Sequence, residues 1–320
     1  MYDTLLYGNG LTIAIFNRLI TINQNIENFS DFFNRFLFDQ TMNKNDFYSI
    51  LNSNTKSDVY LEKDDIVRIE TFIKSYINDI NKHGFEVWIG EKAFVEEDFL
   101  VKNSALYFLS LFNYWYIHTD FDNPHYYYVY KDCVDSFLRL GIKDMYTLNY
   151  DCFLDSFCNI KHSHGAFLNN FYDLIQMAHF RYNGENVEEY LHPCCIGTNG
   201  LEKCRGLCML NESLVSGYDY EFLFSNNKHF GNLLIYGVRF ADSLMIPESI
   251  KQKYSEQDIR LMKYVDGHIL LRLDALYLNN LISSITVSYY QDSDLIRYKK
   301  IFKECACNHI VKYVKSNEIY

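Results

Sequence analysis

The chain has 320 residues, of which 48% are apolar and 22% charged, a composition typical of a globular protein with a sizeable core. Its net charge of −11 and the lack of a basic stripe argue against direct nucleic-acid binding, which needs clustered lysine and arginine. We expect no membrane contact, because the longest apolar run is too short to span a bilayer. We expect a cytoplasmic location, because the N-terminus lacks signal-peptide features and nine cysteines without a signal peptide indicate reduced thiols.

The first predicted unit is a short strand, a glycine turn and a buried helix. Residues 4–7 are β-prone, and residues 11–20 are apolar on nearly every side, which is typical of a buried helix. Gly8 and Gly10 lie between them and permit a tight turn that can approach a ligand, while the helix N-terminus favours an anion. Most Gly-x-Gly pairs are ordinary turns, and no third glycine completes the dinucleotide fingerprint.

The rest of the chain divides into a helical block and a region of alternating elements. From about residue 27 to 140 apolar residues recur at helical spacing, which predicts a helical insertion or subdomain. Strands alternating with helices after this block predict an α/β, Rossmann-like fold with a largely parallel sheet, in a single domain over residues 1–320. The predicted strands are 144–149, 160–164, 232–237 and 282–290, and the predicted helices are 167–180, 187–191, 265–281 and 293–302.

Two polar motifs follow predicted strands in the middle of the chain. Asn149 and Asp151 belong to the first, and His162 and His164 to the second. Ligands bind at the carboxyl ends of parallel strands, where an amide, a carboxylate and an imidazole can position a water and take its proton. Either histidine can be the base, because alternate residues of a strand face the same side. The alternative is that Asn and Asp are turn residues and the histidine is structural.

Four motifs, in this order, resemble those of the SIR2-like (sirtuin-type) NAD-binding fold, and its bacterial defence-associated branch more than the protein deacetylases. They are Gly8-Asn9-Gly10-Leu11-Thr12, Thr147-Leu148-Asn149-Tyr150-Asp151, His164-Gly165 and Gly237-Val238-Arg239-Phe240-Ala241-Asp242. The motifs lie between residues 8 and 242 of the chain. The resemblance implies that NAD+ binds at the carboxyl edge of the sheet and that its nicotinamide–ribose bond is cleaved.

The resemblance also implies roles for individual residues. Asn149 would orient the water or a ribose hydroxyl, His164 would act as the general base, and Asp151 would hold the nicotinamide carboxamide or a neighbouring group. Arg239 replaces the small hydroxyl residue usual in the last motif, and would pair with a phosphate or narrow the adenosine pocket. The residues implied in NAD+ binding are Gly8, Asn9, Gly10, Leu11, Thr12, Thr147, Gly237, Arg239 and Asp242.

A cysteine-rich segment lies where protein-deacetylating sirtuins carry a zinc ribbon. It contains Cys194, Cys195, Cys204 and Cys208, without the Cys-x-x-Cys pairs that indicate zinc. We therefore expect no zinc and no other metal site in this protein, and we interpret this segment as a loop with buried or incidental thiols.

The expected function is that of an NAD+ glycohydrolase, which converts NAD+ and water to ADP-ribose and nicotinamide. The resemblance implies an antiphage role, in which NAD+ depletion causes abortive infection. Such an activity must be restrained in healthy cells, so a homo-oligomer or a complex with a regulatory defence protein is expected. A non-catalytic subunit that senses NAD+ or ADP-ribose is the alternative motivated by Arg239, and an NAD-dependent protein deacylase is the third possibility.

Overall fold

Six parallel strands form the centre of the protein, which we describe from a computed structural model. The strands are β1 (Thr4–Tyr7), β2 (Asp144–Thr147), β3 (Ile160–His162), β6 (Gly231–Tyr236), β7 (Ile282–Tyr289) and β8 (Val311–Lys315), whereas β4 (Ala166–Phe167) and β5 (Val215–Ser216) form a separate antiparallel pair. The structure describes residues 1–54, 61–92, 98–119, 121, 123–149, 151–163, 166–167, 215–216, 221–240, 248, 252, 256, 264 and 266–320.

The strand order is β3-β2-β1-β6-β7-β8, and every neighbouring pair is parallel. Counted along the chain within this sheet, the order is 3-2-1-4-5-6, that of a doubly wound Rossmann-like fold. The connection therefore reverses direction between β1 and β6, which is where such folds form a ligand crevice. The predicted α/β class is confirmed, and all strands of the main sheet are parallel.

Both faces of the sheet are covered, because the central strands are apolar at successive positions. In β1, Leu5 and Tyr7 pack into one core, whereas Leu6 packs into the other. The pattern repeats in β6, where Leu234 lies in the first core and Ile235 in the second. The alternation of side chains along a strand thus places helices on both sides of the sheet.

Eleven helices are present in the described parts of the chain. They are α1 (Asn9–Ile22), α2 (Phe29–Phe38), α3 (Asn45–Asn54), α4 (Lys63–Ser75), α5 (Ile77–His83), α6 (Phe85–Lys92), α7 (Asp98–His118), α8 (Tyr127–Arg139), α9 (Glu221–Phe224), α10 (Gly267–Leu278) and α11 (Asp292–Phe302). Eight of them, α1 to α8, lie between the first two strands of the sheet. Among the described helices, none is both long enough and apolar enough to cross a membrane.

Most predicted elements agree with the structure, and the differences have local causes. The predicted strand at 144–149 ends at Thr147, and the one at 160–164 ends at His162. The sequence analysis did not predict β8. This strand lies at the edge of the sheet, and its alternating Val, Lys and Tyr residues are partly exposed and form no continuous apolar run. Phe167, the first residue of the predicted helix at 167–180, belongs to strand β4. The rest of that predicted helix, the predicted helix at 187–191 and the cysteines at 194–208 lie outside the described residues.

Candidate functional site

A cleft of about 750 Å³ opens at the carboxyl edge of the sheet. Its volume lies in the range of about 300–1,000 Å³ that is usual for small-molecule sites. The ends of the strands and the segments that follow them contribute Gly8, Asn9, Asn149, Asp151, Gly237, Arg239, Ser288 and Gln291. Helices between β1 and β2 contribute His83, Phe85 and Phe108. The cleft therefore lies between the edge of the sheet and the helices that connect β1 to β2.

The glycine turn after β1 packs directly against the turn after β6. The amide of Gly10 donates a hydrogen bond of 2.8 Å to the carbonyl of Gly237, and the amide of Gly8 donates one of 3.0 Å to the carbonyl of Tyr236. A Cβ atom on Gly10 would lie 2.6 Å from the Cα of Gly237. Gly237 itself has a φ of +65°, a left-handed conformation that favours glycine.

This contact explains why glycines are required at these positions, and the sequence analysis did not predict it. The close approach that they permit is between two turns of the chain, and the two amides are already bonded to backbone carbonyls. Leu11 is fully buried in the core, and its amide donates to the carbonyl of Gly8. The turn as it stands does not offer these three amides to a phosphate, whereas the side chain of Asn9 is exposed at the cleft.

Three of the predicted site residues form one hydrogen-bonded network. The Nδ2 atom of Asn149 donates to Oγ1 of Thr12 over 2.8 Å, and Thr12 Oγ1 in turn donates to Oδ2 of Asp151 over 2.6 Å. Asn149 and Asp151 are buried, and Thr12 is half-buried on the first turn of α1. The threonine hydroxyl thus holds an amide on one side and a carboxyl group on the other.

The backbone of this network is fixed by β2 and β1. Buried Thr147 accepts a hydrogen bond at Oγ1 from the amide of Asn149, and the amide of Leu148 donates to the carbonyl of Tyr7 at the end of β1. Thr147 therefore acts here on the backbone that carries Asn149, and it is not among the described residues that line the cleft.

Burial changes the protonation equilibrium of Asp151. Desolvation raises the pKa of its carboxyl group, and this effect outweighs the hydrogen bond from Thr12 and the charge of His162, which both lower it. The carboxyl group consequently binds a proton more readily than an exposed aspartate does.

His162 lies behind this network. Its Nδ1 atom is 3.1 Å from the carbonyl oxygen of Asn149, and its Nε2 atom is 3.0 Å from Oδ2 of Asp155. Because a carbonyl oxygen only accepts, Nδ1 carries a proton, and Nε2 donates to the Asp155 carboxylate when the ring is doubly protonated. Burial lowers the pKa of His162, but the hydrogen bond and the charge of Asp155 outweigh burial and raise it overall.

This position separates His162 from the cleft. It is not among the described residues that line the cleft, where the histidine is His83 from α5. His164 and Gly165, which the resemblance favours as the catalytic pair, lie outside the described residues, as does Asp242. The choice of His164 as the base stays a prediction.

Two arginines line the cleft from different elements. Arg239 follows β6 and is exposed, and Arg297 extends from α11, where its Nη2 atom lies 2.5 Å from Oδ1 of Asp294. The Nε atom of Arg297 is buried and has no hydrogen-bond partner among the described residues. The two guanidinium groups can hold an anionic ligand.

The sequence analysis did not identify Arg297 or His83. A signal for Arg297 was available, because residues 282–290 were predicted as a strand and the polar residues that follow it reach the same edge of the sheet. No comparable signal marks His83, which lies at the end of a helix and reaches the cleft only through the packing of the helical block.

Comparisons with known proteins identify no relative: no family model matches the chain, and no curated protein and no solved structure matches it. The Rossmann-like fold alone does not indicate an activity, because such sheets carry many unrelated functions. The functional argument therefore rests on the residues of the cleft.

Proposed function

We propose that this protein is an NAD+ glycohydrolase, which uses water to cleave the bond between nicotinamide and ribose. The observation that carries the proposal is the Asn149–Thr12–Asp151 network beside a cleft at the point where the strand order reverses. The products are ADP-ribose, nicotinamide and a proton.

The residues of the network suit a transition state with cationic character on the ribose. Asn149 uses its Nδ2 atom on Thr12, so its amide oxygen is the group that would accept a hydrogen bond from a water or ribose hydroxyl. The ionised form of Asp151 would stabilise the positive charge that develops on the sugar. The resemblance assigns the removal of the proton to His164.

Arg239 and Arg297 would bind the pyrophosphate of NAD+. Both line the cleft, and charge-assisted contacts to phosphate are the strongest hydrogen bonds that these side chains form. The two arginines would thus bind the phosphates in place of the glycine-turn amides, because those amides already donate to the carbonyls of Tyr236 and Gly237. The cellular role that the resemblance implies is antiphage defence by NAD+ depletion, restrained by self-association or a regulatory partner.

The release of nicotinamide from NAD+ tests the activity, with cellular NAD+ after induced expression as a second measurement. We expect His164→Ala to reduce the rate by about 10²–10⁴-fold, the usual contribution of a general base. His125→Ala is the matched control, because His125 is exposed and is not among the cleft residues. Absence of NAD+ loss in both measurements, or full activity of His164→Ala, would overturn the proposal.

A subunit that binds NAD+ or ADP-ribose without cleaving it is the second candidate. The exposed guanidinium of Arg239 at the cleft favours it, because an anion-binding group serves recognition without chemistry. Calorimetric binding of ADP-ribose and of NAD+ without nicotinamide release would support this function over hydrolysis.

A further inference from the structure

A cluster of three potential metal ligands lies next to the candidate site. We propose that Cys152, Asp155 and His162 bind a divalent metal ion, and that their chemistry selects zinc. The sulfur, a carboxylate oxygen and a ring nitrogen of these residues all lie within 4.8 Å of one another. Nε2 of His162 and Oδ2 of Asp155 are 3.0 Å apart, so one ion can contact both after a small adjustment.

His162 is already oriented as a ligand. Its Nδ1–H group donates to the carbonyl oxygen of Asn149, which turns Nε2 toward Asp155. Metal-binding histidines usually donate their second ring N–H in this way, which fixes the tautomer and the ring orientation. The imidazole is 5% exposed at the end of β3, so it is also held by the surrounding protein.

The ligand set matches zinc in type and in charge. Zinc takes cysteine sulfur, histidine nitrogen and aspartate oxygen, and a thiolate with a carboxylate balances its two positive charges. Binding would form bonds to these three atoms and release two protons to solvent, the thiol proton of Cys152 and the Nε2 proton of His162 in its ion pair with Asp155. Cys152 is half-buried and Asp155 is exposed, which leaves solvent access for a water as the fourth ligand.

The bound ion would stabilise the turn that carries the candidate site. Cys152 directly follows Asp151, and the carbonyl that orients His162 belongs to Asn149. None of the three ligands is among the described residues that line the cleft. The ion would thus position Asn149 and Asp151 and take no direct part in NAD+ cleavage. The site is separate from the cysteine-rich segment at 194–208, which lies outside the described residues.

Metal binding to the full-length protein tests this proposal independently of any activity. After dialysis against a chelator under reducing conditions, the wild type should bind one more equivalent of Zn²⁺ than Cys152→Ser does. Co²⁺ should give an absorption band from thiolate-to-metal charge transfer. Asp155→Asn should weaken binding at least about tenfold, the lower limit seen when even a supporting residue is lost. Zn²⁺ should also raise the melting temperature of the wild type, since a ligand specific for the folded state stabilises it.

Cys158→Ser is the matched control, because Cys158 lies on the same turn but its thiol is 3.7 Å from the sulfur of Met145 and outside the cluster. We expect this variant to bind Zn²⁺ and Co²⁺ like the wild type. Equal binding by wild type, Cys152→Ser and Asp155→Asn would overturn the proposal, as would the absence of a thiolate band with Co²⁺. In that case the contact between His162 and Asp155 would be an ion pair and not part of a metal site.

Discussion

At the scale of single residues, Thr12 is the centre of the candidate site. Its hydroxyl accepts from Asn149 and donates to Asp151, so it satisfies two buried polar groups at once. The sequence analysis implied Thr12 in NAD+ binding as part of the glycine motif and did not predict its contacts with Asn149 and Asp151. Its contact with the residues after β2 depends on the pairing of β1 with β2, which brings together residues more than 130 positions apart.

Replacing this hydroxyl should measure the strength of the network. Thr12→Val keeps the shape of the side chain but leaves the amide of Asn149 and the carboxyl group of Asp151 without this partner. We expect the free energy of unfolding, measured by urea denaturation, to fall by about 1–3 kcal/mol. Thr12→Ser keeps the hydroxyl and should retain most of the stability. Equal stability of the valine variant and the wild type would show that the network contributes little.

At the scale of elements, a buried carboxylate joins three helices of the block between β1 and β2. Glu70 on α4 accepts hydrogen bonds from Tyr48 on α3, over 2.5 Å, and from Tyr107 on α7, over 2.7 Å. Lys44 and Lys74 lie 3.4 and 3.3 Å from the carboxylate. Desolvation raises the pKa of Glu70, but the hydrogen bonds and the two lysines together outweigh it and lower the pKa.

This shift predicts how stability depends on pH. A lowered pKa in the folded state means that Glu70 contributes its full stabilisation above the ordinary value of 4.5, and loses it as the pH falls through the folded value. Glu70→Gln should lower stability at neutral pH and flatten the loss of stability below about pH 4.5, as measured by urea denaturation at each pH. Asp64→Asn, at an exposed position of α4, is the control. An unchanged slope in Glu70→Gln would contradict the assignment.

At the scale of the whole molecule, the cleft needs both the sheet and the helical block. The sheet contributes the ends of its strands, and the helices contribute an aromatic wall in which Phe85 and Phe108 stack with ring centroids 3.7 Å apart. Arg239 follows β6, and its Nη1 atom is 3.8 Å from the position of a Cβ atom on Gly84, at the end of α5. Its guanidinium therefore lies where the two parts meet.

This position makes Arg239 the best probe of anion binding in the cleft. Arg239→Gln should weaken the binding of ADP-ribose about 10–100-fold, because a charged hydrogen bond contributes about 1.5–3 kcal/mol. Isothermal titration calorimetry measures the change in Kd, and affinity for the wild type should fall as salt rises. Arg139→Gln is the control, since Arg139 is an exposed residue of α8 away from the cleft. An unchanged Kd in Arg239→Gln would exclude Arg239 from the binding site.

The sequence by itself determined the local structure and the polar character of the strand ends. Apolar runs predicted β1 and β6, the alternation of strands and helices predicted the α/β class, and the motif at 147–151 marked the end of β2. These features were predictable because burial on both faces leaves a periodic pattern in neighbouring residues.

Only the tertiary structure decided which strand ends meet. It paired Thr12 with Asn149 and Asp151, turned His162 toward Asp155, and brought Arg297 to the cleft. It also showed why position 10 requires glycine: Gly237 packs so closely against it that a Cβ atom would not fit. The physical reason is that strand order and helix packing join residues distant in the chain, and local periodicity carries no information about such contacts.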